Sequence, residues 1–111
     1  IHTCGSSSWA YDEYLKIGLT AADTLQPEAA NMEPEYLKRR FGDRISFMGG
    51  LDVRTMVAND RAAIQAELDR KLPAAMAGGG YCLHSDHSIP DQVEYETYKF
   101  FLDRGREMGT Y

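Results

Sequence analysis

Apolar residues follow two rhythms that alternate along the chain. Residues 1–3 read as the end of a strand running into a loop. Tyr11, Tyr14, Leu15 and Gly18 then recur at helical spacing, predicting a helix over 8–17 with Ser8 as its N-cap and Gly18 as its stop. A short strand over 21–25 ends at Gln26-Pro27-Glu28. Pro34 suits the first turn of a second helix, which puts Tyr36, Leu37 and Phe41 inward and ends before Gly42. A third strand over 44–48 closes at Gly49-Gly50-Leu51-Asp52. Asp60 caps a third helix in which Ile64, Leu68 and Leu72 recur every fourth position, and Pro73 is expected to end or kink it. Gly78-Gly79-Gly80 opens a fourth strand over 81–85. The last helix, over 94–108, has Tyr95, Tyr98, Phe101 and Leu102 on its apolar side. Trp9, the helix aromatics and the methionines are expected in the core.

Strand followed by helix, four times over with short connections, is an α/β pattern that implies parallel strands. A closed eight-stranded β/α barrel takes ~250 residues. Four units therefore make half of one, and the whole chain, 1–111, reads as one such half, the C-terminal one. A small doubly wound sheet is the rival, but no strand here is followed by its glycine fingerprint.

The charge balance narrows the partners. With 17 acidic against 12 basic side chains, the net charge is −5. The one basic cluster, Lys38-Arg39-Arg40, reads as a solvated helix face, so nucleic acid is not expected as a partner. No apolar run approaches the ~20 residues that cross a bilayer. Two cysteines do not make a disulfide scaffold, which points to a reduced, cytoplasmic setting. The opening Ile1-His2-Thr3-Cys4 reads as the tail of a longer protein.

Polar residues gather where a barrel enzyme keeps its chemistry, at the C-terminal ends of the strands. Those ends read His2-Thr3-Cys4, Gln26-Pro27-Glu28, Gly49-Gly50-Leu51-Asp52 and His84-Ser85-Asp86-His87. On an extended segment His2 and Cys4 share a side, and an imidazole and a thiolate are both zinc ligands. Cys82, His84, Asp86 and His87 offer further donors. Each has a plainer reading: Cys82 as a small buried hydrophobe, His84 as a side chain satisfied beneath a loop, Asp86-His87-Ser88 as a turn, and Asp52 as an acceptor for nearby amides. A Ser-His-Asp triad using Ser6, Ser7 or Ser8 lacks a G-x-S-x-G elbow.

His2-Thr3-Cys4-Gly5, Phe47-Met48-Gly49-Gly50-Leu51-Asp52 and the stretch from Gly78-Gly79-Gly80-Tyr81 to His87-Ser88-Ile89-Pro90 together resemble the C-terminal half of the uroporphyrinogen decarboxylase superfamily. The resemblance implies a β/α barrel with one of two chemistries. One branch decarboxylates uroporphyrinogen without a cofactor. The other moves a methyl group between a corrinoid and a thiol or similar acceptor, often with zinc. The His-x-Cys pair follows the zinc branch, which makes His2 and Cys4 metal ligands, with His87 or Cys82 as the third. That branch implies a small-molecule or corrinoid-protein substrate. His87 also aligns with a histidine of the decarboxylases, in which Asp52 and His87 would position substrate. Methyl transfer is the leading expectation, with decarboxylation or a non-catalytic binding module as alternatives. The open edges and faces of a half-barrel also predict a homodimer, or association with the chain's own N-terminal half.

Overall fold

The computed structural model describes residues 1–110, apart from the side chain of Thr24. Its centre is a parallel sheet of β1 (Ala21–Leu25), β2 (Ser46–Gly49) and β3 (Tyr81–Cys82), in that spatial order. Ala22 lies opposite Phe47, Phe47 opposite Tyr81, and Met48 opposite Cys82. The strands follow one another in space as they do in sequence, as successive β/α units do.

Among the described residues three strands form where four were expected. The N-terminal segment contributes only a parallel bridge from His2 to Asp23, with the Asp23 amide donating to the Ile1 carbonyl at 2.8 Å. Gly5, at φ 73°, then turns the chain away. β2 begins two residues later than expected because the amides of Arg44 and Ile45 both donate to the Phe41 carbonyl and close the preceding helix. β3 stops at Cys82. The left-handed Gly49 and Gly50 take β2 out of line, and the two chains meet again at a single bridge, Leu51 to Ser85.

The first expected helix is a 3₁₀ turn, Ser8–Ala10, leading into α1 (Tyr11–Lys16). Ser8 does not cap it: it is buried within the turn, and no side chain bonds either N-terminus. α2 (Pro34–Phe41) lies where the pattern places it, with Leu37 and Phe41 buried. α3 (Val53–Val57) is a single short helix that the apolar periodicity does not reveal. α4 (Arg61–Met76) starts at Asp60, whose carboxylate accepts the amides of Ala62 and Ala63. It does not end at Pro73 but continues to Met76, because Pro73 and the carbonyl-bearing Asp69 are both exposed and water can replace the lost bond. α5 (Tyr95–Met108) completes the chain.

The core lies on one face of the sheet. Tyr11, Ala22, Leu25, Leu37, Phe41 and Phe47 form one cluster under α1 and α2. Leu51, Met56, Ile64, Leu68, Leu72 and Phe101 form a second among α3, α4 and α5. Three expected core residues are outside it. Trp9 and Tyr95 are 80% and 73% exposed at helix starts, and Met48 points to the opposite face of the sheet. Met48 alternates with buried Phe47, so the two-residue period of a strand forces it there.

Candidate active site at the strand ends

Three loops build the site: the one from β2 to α3, the one after β3 and the one after β1. In the first, Gly50 sits at φ 87°, and a Cβ there would come within 2.7 Å of the Pro34 ring, so only glycine fits. Several of the backbone groups that follow are held by side chains. The Gly50 carbonyl accepts from Lys71 Nζ at 3.0 Å, the Asp52 amide donates to Glu67 Oε1 at 2.7 Å, and the Val53 amide donates to Asp86 Oδ1 at 2.8 Å. The Asp86 amide in turn donates to the Leu51 carbonyl at 2.7 Å. Asp52 caps α3 by accepting the Arg54 amide at 2.9 Å and grips the Arg54 guanidinium at both carboxylate oxygens.

These contacts set the charges. The Arg54 side chain holds the nearly buried Asp52 carboxyl below the ordinary carboxylate range, and Asp52 raises the guanidinium of Arg54 above its own ordinary value. Burial pushes Asp86 up, partly countered by the Val53 N–H. Asp52 thus behaves first as the amide acceptor allowed for in its plainer reading, and it also orients Arg54 in the cleft wall.

A cleft of 320 Å³ lies beside these loops, lined by Gln26, Glu28, Ala29, Val53, Arg54, Asp86 and His87. Its side chains come from the ends of three successive strands. Gln26 links them. Its Oε1 accepts the Gly5 amide and its Nε2 donates to His87 Nε2 at 2.7 Å, so that imidazole nitrogen is the acceptor. Ser85 Oγ donates to the His87 carbonyl at 2.6 Å and fixes the turn carrying the ring. Gln26, Arg54 and Asp86 carry no motif by themselves. Gln26 and Asp86 share a signal of position, in the polar stretches that follow strands, whereas Arg54 lies in α3, which no sequence signal marks.

His2 and Cys4 form a separate pair. His2 Nδ1 meets Asp23 Oδ2 at 3.0 Å, and His2 Nε2 faces Cys4 Sγ at 3.9 Å. His87 is engaged with Gln26. Among the described residues, no group of three His, Cys, Asp or Glu side chains stands close enough to hold a metal ion. Cys82 is an exposed thiol level with Met48 on the uncovered face of the sheet, not the buried hydrophobe its plainer reading makes it. His84 is also exposed, with Nδ1 donating to the Ser85 carbonyl at 2.5 Å.

Parallel strands in sequence order, helices on one face and polar loops at the C-terminal strand ends make this an α/β fold of successive strand–helix units. The chain matches the family described as uroporphyrinogen decarboxylase (URO-D) over residues 1–108, and it belongs to that family. It is 34% identical over 72 residues to a uroporphyrinogen decarboxylase of Hahella chejuensis (strain KCTC 2396); that match takes in 65% of this chain and 20% of the relative. The matched segment thus spans about a fifth of the relative's length. Among the described residues, no helix is long and apolar enough to cross a membrane.

Proposed function

We propose that this chain supplies the C-terminal β/α units of a barrel enzyme that decarboxylates a small carboxylated substrate, with the cleft between Gln26, Arg54, Asp86 and His87 as part of its active site. The observation that carries this reading is the convergence of those four side chains, from three consecutive strand ends, on one 320 Å³ cleft. In this reading residues 1–3 belong to the first of four strands, and residues 1–111 form one C-terminal half-barrel. Family membership favours the decarboxylase over the methyl-transfer chemistry expected from the His-x-Cys pair.

The residues divide the work by chemistry. Arg54, held by Asp52, presents its remaining N–H groups to a substrate carboxylate. Loss of CO₂ breaks the bond between the substrate carbon and its carboxyl group and leaves an electron pair that the neighbouring ring system accepts. Groups fixed beforehand stabilise that charge without reorganising. His87 faces the cleft and can pass a proton to the carbon that has lost CO₂. No cofactor enters this sequence of events.

The test is turnover of uroporphyrinogen by the complete native polypeptide, read as CO₂ release. Activity that falls by more than about 100-fold in His87→Gln and Arg54→Met, as loss of a positioned catalytic group costs, supports the reading. A wild-type protein that folds and releases no CO₂ refutes it.

One observation favours a second reading. His2 Nδ1 is held by a carboxylate while Nε2 faces a cysteine sulfur, as in a metal-bound histidine oriented by a second carboxylate. His2 and Cys4 are the two residues here that would hold zinc, and a bound zinc would stabilise the thiolate form of a substrate. In that reading the partner is a corrinoid-bearing protein or a small corrinoid. Stoichiometric zinc in the native polypeptide, lost in Cys4→Ser along with thiol methylation, would place this chemistry ahead of decarboxylation. The two free thiols fit a reduced cytoplasmic setting in either case.

A further inference from the structure

α4 carries a buried ion pair that does not line the cleft. The Lys71 side chain is 3% exposed and that of Glu67 12%, with Nζ donating to Oε1 at 2.6 Å. Taking two charges out of water is costly, and a pair of packed apolar side chains in their place is often neutral or better for stability. Stability alone therefore gives little reason for charge at these positions. Their backbone contacts do. Lys71 Nζ donates to the Gly50 carbonyl, and Glu67 Oε1 accepts the Asp52 amide. The pair thus grips the chain on both sides of Leu51, at the turn where two left-handed glycines would otherwise leave it loose. Two residues on, this segment delivers Asp52 and, through it, Arg54.

We propose that Lys71 and Glu67 are positioning residues for the strand-end cleft: the buried pair fixes the Gly50–Asp52 backbone and thereby the placement of Arg54 against a substrate carboxylate. The substrate side of this inference rests on the decarboxylase reading above. The grip on the loop stands on the contacts alone.

The double variant Glu67→Gln/Lys71→Met, in the complete native polypeptide, separates positioning from stability. Glutamine keeps an oxygen for the Asp52 amide, methionine keeps the volume of the lysine stem, and no unpaired charge is left buried. The melting temperature should hold, the Asp52 and Val53 amides should exchange hydrogen faster, and kcat/KM for uroporphyrinogen should fall about tenfold, mainly through KM, as expected when a ground-state contact is misplaced. Should the double variant not fold, Glu67→Gln alone is expected to show the same changes to a smaller degree. Unchanged exchange overturns the grip on the loop. Faster exchange with unchanged kcat and KM reduces the pair to a structural one and overturns the positioning role. A wild-type protein without decarboxylase activity refutes the decarboxylase reading instead, and amide exchange still decides whether the pair holds the loop.

Discussion

Asp52 is where charge, capping and the cleft meet in a single side chain. Its carboxyl titrates below the unfolded value of 3.8 because Arg54 grips it. A carboxyl with a depressed folded pKa adds stability that is complete above its unfolded pKa and is lost as pH falls through the folded one. Asp52→Asn keeps an oxygen for the Arg54 amide but loses the charge. The exposed guanidinium limits the loss to about 1 kcal/mol at neutral pH, and acid unfolding below pH ~4 should become shallower. Denaturant melts of both proteins across pH 2–7 check this; the two curves running parallel down to the lowest pH would rule it out. Tyr11 acts at the other end of the scale. It is 1% exposed, packs edge-on against Phe41 at 5.4 Å and has its hydroxyl at 3.3 Å from Ser7 Oγ. Burial raises its phenol above the ordinary 10.0. The neutral form is the one the fold accommodates, so Tyr11 adds stability in full below pH ~10 and loses it as pH rises through its folded value. Tyr11→Phe should cost no more than about 1 kcal/mol at pH 7 and should flatten the alkaline loss of stability. A melting curve that declines between pH 9 and 11 as steeply as wild type would exclude Tyr11 as its source.

At the scale of elements, the turn after β2 concentrates the constraints. Gly50→Ala would put a Cβ 2.7 Å from the Pro34 ring at a backbone angle that L side chains rarely adopt. Strain of this kind costs roughly 1–3 kcal/mol, and here it would also displace α3 from under the cleft. Thermal unfolding of Gly50→Ala measures it, and a melting temperature within a degree of wild type would show that the turn yields. The Gly49-Gly50-Leu51-Asp52 block is legible in the sequence as a strand end because paired glycines and an aspartate interrupt an apolar run. The helices whose apolar faces repeat over two or more turns, α2, α4 and α5, are legible for the same kind of reason. α3 is not, since five residues are too few for a period to appear. The strand edges are lost too. Whether Arg44 and Ile45 join β2 depends on amides bonding back to Phe41, and whether residues 83–85 pair depends on a turn in the neighbouring strand. Most of the cleft is legible in the sequence: Gln26, Asp86 and His87 fall in the polar strand-end blocks, whereas Arg54 does not, because it enters through a helix too short to show a period.

At the scale of the molecule, a parallel sheet with helices on one face is incomplete. Parallel sheets are normally covered on both sides, because the crossover helices or the closed barrel bury each face. Here Phe47 and Ala22 are buried under helices, while Met48 is 38% exposed and Cys82 is exposed on the opposite side of the sheet. β3 ends the sheet on one side, and the bridge at His2 bounds it on the other. Apolar side chains at Trp9, Ile17 and Tyr95 add to the exposed surface. Soluble monomers seldom leave contiguous apolar surface beyond a few hundred Å², and sheet edges are templates for pairing. The 111-residue chain on its own should therefore associate, most simply as a two-fold pair in which each copy covers the uncovered sheet face of the other. If the chain is one half of a barrel, as proposed above, the other half would take the same place, and the pairing should disappear when that half is supplied in trans. Light scattering at micromolar concentration reads the mass directly. A mass of twice 12.5 kDa that falls on dilution is the expected result. A compact monomer that unfolds cooperatively would show that the uncovered face is tolerated in water and that the sheet needs no second half.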